Sequence, residues 1–100
     1  VVDKSHSNEA PFVKWINKMV DLEKQINEKE KELELLKQDV LLSIEELENE
    51  DHKTLLTLRY LKKMTYSDIA DKLFISISTF KRWHEEALSS IVVPQKYRSL

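Results

Sequence analysis

The chain of 100 residues contains neither glycine nor cysteine. Without cysteine it has no disulfide framework and no thiol nucleophile, a composition expected of the reducing cytoplasm. Without glycine it has no phosphate-cradling loop, and any left-handed backbone must be carried by a residue with a Cβ. Asn49 is the expected carrier, ending the helix before it. Proline occurs twice, at Pro11 and Pro94, so little interrupts regular structure between them. No apolar run approaches the roughly 18 residues of a membrane span, and no signal-peptide pattern is present. His6, His52 and His84 are the only histidines, too scattered to suggest metal-ligand spacing or a nucleophile with an oriented base. The expectation is a non-enzyme with no metal, no cofactor and no membrane.

With 41% hydrophobic and 34% charged residues, the chain reads as globular and helix-rich rather than disordered. Its length suits one compact domain plus an appendage. It opens on Val1 rather than Met, as expected of a processed chain or one cut from a longer sequence. The net charge of −2 is unevenly spread: residues 1–49 carry 7 Lys against 12 acids, and residues 50–100 carry 9 Lys or Arg against 6 acids. Phosphate attraction is therefore expected in the second half alone.

The acidic half has one organising pattern. Alternating steps of three and four from Phe12 pass through Trp15, Met19, Leu22, Ile26, Lys29, Leu33, Leu36, Val40, Ser43 and Leu47, nine apolar residues at eleven positions. That spacing predicts one long helix over residues 12–48, with Pro11 in its first turn and Asn8 or Ser7 as its cap. Such a helix would run roughly 54 Å at 1.5 Å per residue, too long for a half-size domain to cover. A coiled-coil-like partnership with a second copy is preferred, through Trp15, Met19, Leu22, Ile26, Leu33 and Leu36. Glu32 and Lys37 fall where a parallel pair would join them. A hairpin, or a helix folding back on its own domain, is the alternative.

The second half carries a denser signal. Thr65 followed by Asp68 suits the start of a short helix whose buried stripe is Ile69, Ala70 and Leu73. Ser76 can cap a second helix, with Ile75 before it and Phe80 after it at the spacing of a hydrophobic staple. Small Ala70 fits a close crossing of the two helices, on which Phe80 and Trp83 lean. The opposite face presents Ser78, Thr79, Lys81, Arg82 and Glu85, with Ser76 at its start. A helix bearing short polar groups and cations fits a major groove about 12 Å wide, which makes double-stranded DNA the expected partner.

The run Leu58-Arg59-Tyr60, then Tyr66-Ser67-Asp68-Ile69-Ala70, then Ile75-Ser76 and Ser78-Thr79-Phe80-Lys81-Arg82 resembles the C-terminal DNA-binding region 4 of bacterial sigma factors. With Asn49-Glu50-Asp51-His52-Lys53 ahead of it and Arg82-Trp83-His84-Glu85-Glu86-Ala87-Leu88 closing it, the segment is similar to the small ArpU/RinA-type phage transcriptional regulators. The resemblance covers about the C-terminal half. It implies a sigma-like helix-turn-helix and transcriptional control of phage or prophage genes from the host cytoplasm. One position departs from it: Phe74 stands in the turn where such families usually place glycine, so either the turn differs or packing must offset the strain.

The fold expected is all-α, a long N-terminal helix followed by a helix-turn-helix domain, with helices near 12–48, 51–63, 66–73 and 77–91. Residues 1–11 form a flexible lead, 12–48 the oligomerisation helix, 49–93 the DNA-binding domain and 94–100 a tail released by Pro94. The function expected is that of a sequence-specific DNA-binding regulator acting as a dimer. Two alternatives belong to other classes: a DNA-packaging protein like a phage small terminase subunit, and a sigma-like subunit contacting RNA polymerase through residues 55–63.

Overall fold

A computed structural model describes residues 10–25 and 30–98, and every regular element among them is helical. The chain divides into two compact units, residues 1–43 with 92–100, and residues 44–91. None of the described helices is long and apolar enough to cross a membrane.

The first unit is built on α1 (Pro11–Glu23) and α2 (Glu30–Glu45, whose last two residues belong to the second unit). Pro11 occupies the first helical position, where its missing N–H costs nothing. The cap is Ala10, which makes no side-chain bond; the expected caps Ser7 and Asn8 lie outside the described residues. Phe12, Trp15, Ile16, Met19 and Leu22 form the buried face of α1. Trp15 is fully enclosed, meeting Phe12 edge-on at 6.1 Å and stacking on Tyr97 at 4.7 Å. The Tyr97 hydroxyl donates to Asp39 on α2 at 2.6 Å, and Lys96 pairs with the same carboxylate at 3.3 Å. These bonds hold the Asp39 carboxyl below the ordinary carboxylate range, the tyrosine bond contributing most. Burial, then the Asp39 bond, pushes the Tyr97 phenol up to about 12.

A single helix over residues 12–48 is therefore not what forms. α1 ends at Glu23, where the N–H groups of Lys24 and Gln25 tighten onto Asp21 and Leu22, and α2 begins at Glu30. The apolar seam expected between chains is largely closed within one chain: Trp15, Met19, Leu22 and Leu36 are buried by this chain's own residues. Leu33 is only half-buried, and Ile26 lies outside the described residues. Lys37 pairs with Glu23 of α1 at 3.4 Å. A break in the helix lets each half cover part of the other's apolar face. The expected free tail is likewise tied down, through a 3₁₀ turn over Gln95–Tyr97 that delivers Tyr97 to Trp15.

The second unit packs α3 (Glu50–Leu56), α4 (Tyr66–Leu73) and α5 (Ile77–Ser90). Asn49 begins α3 instead of ending the helix before it. Its side-chain oxygen accepts from the N–H groups of Asp51 at 2.8 Å and His52 at 3.1 Å, and its φ of −86° is ordinary. Among the described residues, the left-handed ones are Lys63 and Phe74. α3 runs into a π-helical turn, Thr57–Leu61, which closes as Arg59 donates to the Met64 carbonyl at 3.0 Å. Leu55, Leu56, Ile69, Ala70, Phe80 and Ala87 fill the core between the three helices.

Ala70 is 2% exposed in this core. Ala70→Leu is expected to overpack the unit and cost about 1–3 kcal/mol, read as a lower thermal midpoint. An unchanged midpoint would show that the space around Ala70 is not tight.

Candidate nucleic-acid interface

α4 and α5 are joined by three residues, and both helices start on the side-chain caps the sequence suggests. Thr65 accepts from the Asp68 N–H at 3.1 Å, and Ser76 from the Thr79 N–H at 3.0 Å. Beyond its cap, α5 divides into two faces. Phe80 and Ala87 are buried, His84 between them is half-buried, and Ser78, Lys81, Arg82 and Glu85 are exposed. Lys81 and Arg82 form no ion pair among the described residues, so both cations face water.

Two of the expected interface residues also serve the fold. The Ser76 hydroxyl caps the helix and also donates to the Thr79 hydroxyl at 3.0 Å, so these two side chains shape the start of α5 before they serve any ligand. The expected core residues differ among themselves too: Ile69, Ala70 and Phe80 are buried, whereas Leu73, Ile75 and Trp83 are only partly covered. The inward stripe of α5 runs through Phe80, His84 and Ala87, one residue round from the stripe through Trp83.

His84 is a packed and hydrogen-bonded histidine, as its place in the sequence suggests. Its ring stacks on Phe80 at 5.5 Å and on Tyr60 at 5.8 Å, and its Nε2 lies 2.7 Å from the Tyr60 hydroxyl. Phe80 continues the row to Tyr66 at 6.0 Å. This aromatic row joins the π-helical turn, α5 and α4, setting how the exposed face of α5 is presented. The spacing of His84 four residues after Phe80 was the available signal. A second tie runs from His52 on α3 to Glu86 on α5 at 3.3 Å.

Burial holds the His84 imidazole below its ordinary pKa of 6.5, and the nearby Arg59 charge acts in the same direction. The neutral ring is thus the folded form, able to accept from Tyr60. The unfolded chain takes up this proton from about pH 6.5 downward while the folded chain resists it, so protonation favours unfolding. Stability is expected in full above about pH 6.5, falling as pH is lowered toward the depressed folded value. Thermal midpoints between pH 7.5 and 5 check this. His84→Phe should flatten the fall, and an undiminished slope in that variant would assign the titration elsewhere.

Charge follows the fold differently from the sequence halves. Residues 44–91 hold seven Lys or Arg against nine acids, and the other unit holds nine against nine, because Lys96 and Arg98 join the N-terminal helices. The concentration is local: from Thr57 to Trp83 there are six Lys or Arg (59, 62, 63, 72, 81 and 82) against Asp68 and Asp71. Among the described residues no group of His, Asp and Glu could hold a metal ion.

These features define a small all-helical protein with a capped helix pair and a stretch of sequence rich in Lys and Arg. The chain belongs to the family described as "Protein of unknown function (DUF1492)", whose model matches residues 4–91. No curated protein and no solved structure matches the chain.

Proposed function

We propose that the chain is a sequence-specific, DNA-binding transcriptional regulator in which α4 and α5 act as a sigma-like helix-turn-helix. The observation that carries this reading is the division of α5: its inner stripe is locked into the core, while Ser78, Lys81, Arg82 and Glu85 stand exposed directly after a capped N-terminus. A helix held this way can enter a major groove N-terminus first. Arg82 has the planar fork that matches the paired acceptors of guanine, and Lys81 suits phosphate. The local excess of four positive charges from Thr57 to Trp83 supports a polyanionic partner.

The resemblance to ArpU/RinA-type phage regulators supports control of phage or prophage genes in the host cytoplasm. Dimerisation in this reading uses Leu35 and Leu42, which lie seven residues apart on α2 and are 54% and 62% exposed, since the seam residues of α1 are already covered.

Selection of bound sequences from random DNA tests the reading. Enrichment of a short operator with two half-sites about 34–36 Å apart, or a multiple of that, is expected of a two-fold dimer. Failure to enrich any sequence would refute specific DNA recognition. Binding without preference by a ring of eight or more chains would point instead to packaging.

A further inference from the structure

The turn between α4 and α5 has the backbone geometry that favours glycine, yet it holds phenylalanine. Phe74 ends α4 with φ 59° and ψ 43°. The Ile75 N–H bonds to the Ala70 carbonyl at 3.0 Å and the Phe74 N–H to the Asp71 carbonyl at 3.3 Å. These are the two bonds of a Schellman motif, whose left-handed residue is usually glycine because a Cβ is crowded there. Neither of the two expected alternatives holds: the turn keeps the left-handed geometry, and Phe74 is 94% exposed, so packing does not offset the strain. In the isolated chain the residue thus carries both backbone strain and a large apolar surface in water, and an unstrained turn would be served better by glycine or asparagine.

The position of Phe74 indicates a use for the ring. It lies two residues before Ser76, the N-cap of α5, and Ile77, the first residue of that helix, is itself 37% exposed. Lys72, Lys81 and Arg82 flank this turn in sequence against Asp71, and the three cations form no ion pairs among the described residues, which favours a polyanionic partner. Where a recognition helix enters the groove by its N-terminus, residues just ahead of the cap reach the groove edge. The apolar feature a phenylalanine meets on base edges there is the methyl group of thymine.

We propose that Phe74, assisted by Ile77, is a specificity-determining contact that reads thymine methyl groups at the edge of the site occupied by α5. This rests on the DNA-binding reading above. The ring is held in the strained turn because its contact is made only on the duplex.

The test uses the full chain and the duplex it selects from random DNA. Phe74→Gly is expected to keep a thermal midpoint no lower than the parent's and to bind the selected duplex roughly tenfold more weakly. Phe74→Asn, which also tolerates the left-handed region, should behave alike. Replacing the thymines of the selected duplex one at a time by deoxyuridine should weaken the parent about fourfold at each contacted methyl, and leave Phe74→Gly unchanged at those positions. Undiminished affinity of both variants, or equal weakening of parent and variant by deoxyuridine, would overturn the proposal while leaving DNA binding intact. If the parent enriches no sequence, the DNA-binding reading fails, and the contact fails with it.

Discussion

Trp15→Ala is expected to lower stability by about 3–5 kcal/mol, the range for removing a large aromatic from a packed core. Trp15 is completely buried, lies edge-on to Phe12 and stacks on Tyr97, so its removal takes away the surface against which the C-terminal turn is laid. Trp15→Phe should cost far less. It keeps an aromatic ring for the stack and deletes the indole N–H, a buried donor with no hydrogen-bond partner among the described residues. Thermal unfolding followed by circular dichroism at several protein concentrations checks both points. If Trp15 is covered within one chain, the loss will not depend on concentration. A parent midpoint that rises steeply with concentration, and a Trp15→Ala variant that differs from it only when dilute, would show that the seam is closed between chains after all.

The second large effect is expected on DNA affinity, and its two parts should separate. Lys81 and Arg82 are adjacent and exposed and form no ion pair among the described residues, and successive residues of a helix point about 100° apart. Arg82→Ala should cost about 1–3 kcal/mol on a selected site and much less on random DNA, as expected for loss of a bidentate contact to a guanine edge. Lys81→Ala should weaken both classes of DNA alike and reduce the salt slope by about one ion, as expected for a phosphate contact. A doubly substituted chain, still helical, that binds the selected duplex at several salt concentrations as tightly as the parent would remove α5 from the interface. The aromatic row through His84 makes this test clean, because the fold of α5 depends on its opposite face.

Local chemistry explains why the second unit was so legible in sequence. Thr65 and Ser76 accept bonds from N–H groups three residues on, within a single turn of chain, so the starts of α4 and α5 are decided by residues adjacent in sequence. Ile69, Ala70 and Phe80 are buried because helical spacing puts them on one side whatever the remaining topology is. The polar character of Ser78, Lys81, Arg82 and Glu85 follows from the same periodicity. The absence of cysteine and glycine, and the lack of a span-length apolar run, likewise bounded the protein without any fold.

The partner of an apolar stripe is not a local property. Residues 12–47 repeat at a spacing that a second chain or a folded-back helix satisfies equally well, and only the tertiary structure, by ending α1 at Glu23 and bringing Glu23 to Lys37, closes the seam within the chain. Tyr97 joins Trp15 and Asp39 across most of the sequence length, a contact with no short-range signature. His84 gained its role because Tyr60 arrives from a π-helical turn, a register that periodicity at 3.6 does not anticipate. Asn49 could cap the start or the end of a helix by composition alone, and the choice fell to whichever backbone N–H groups the fold left unbonded. Phe74 is the limiting case: sequence shows a phenylalanine where glycine was expected, but only the fold shows that the turn keeps the glycine geometry and leaves the ring in water. What the chain determined by itself were features governed by neighbours within a turn or two of helix; which surfaces met, and which stayed open, was decided by long-range packing that no residue's neighbours encode.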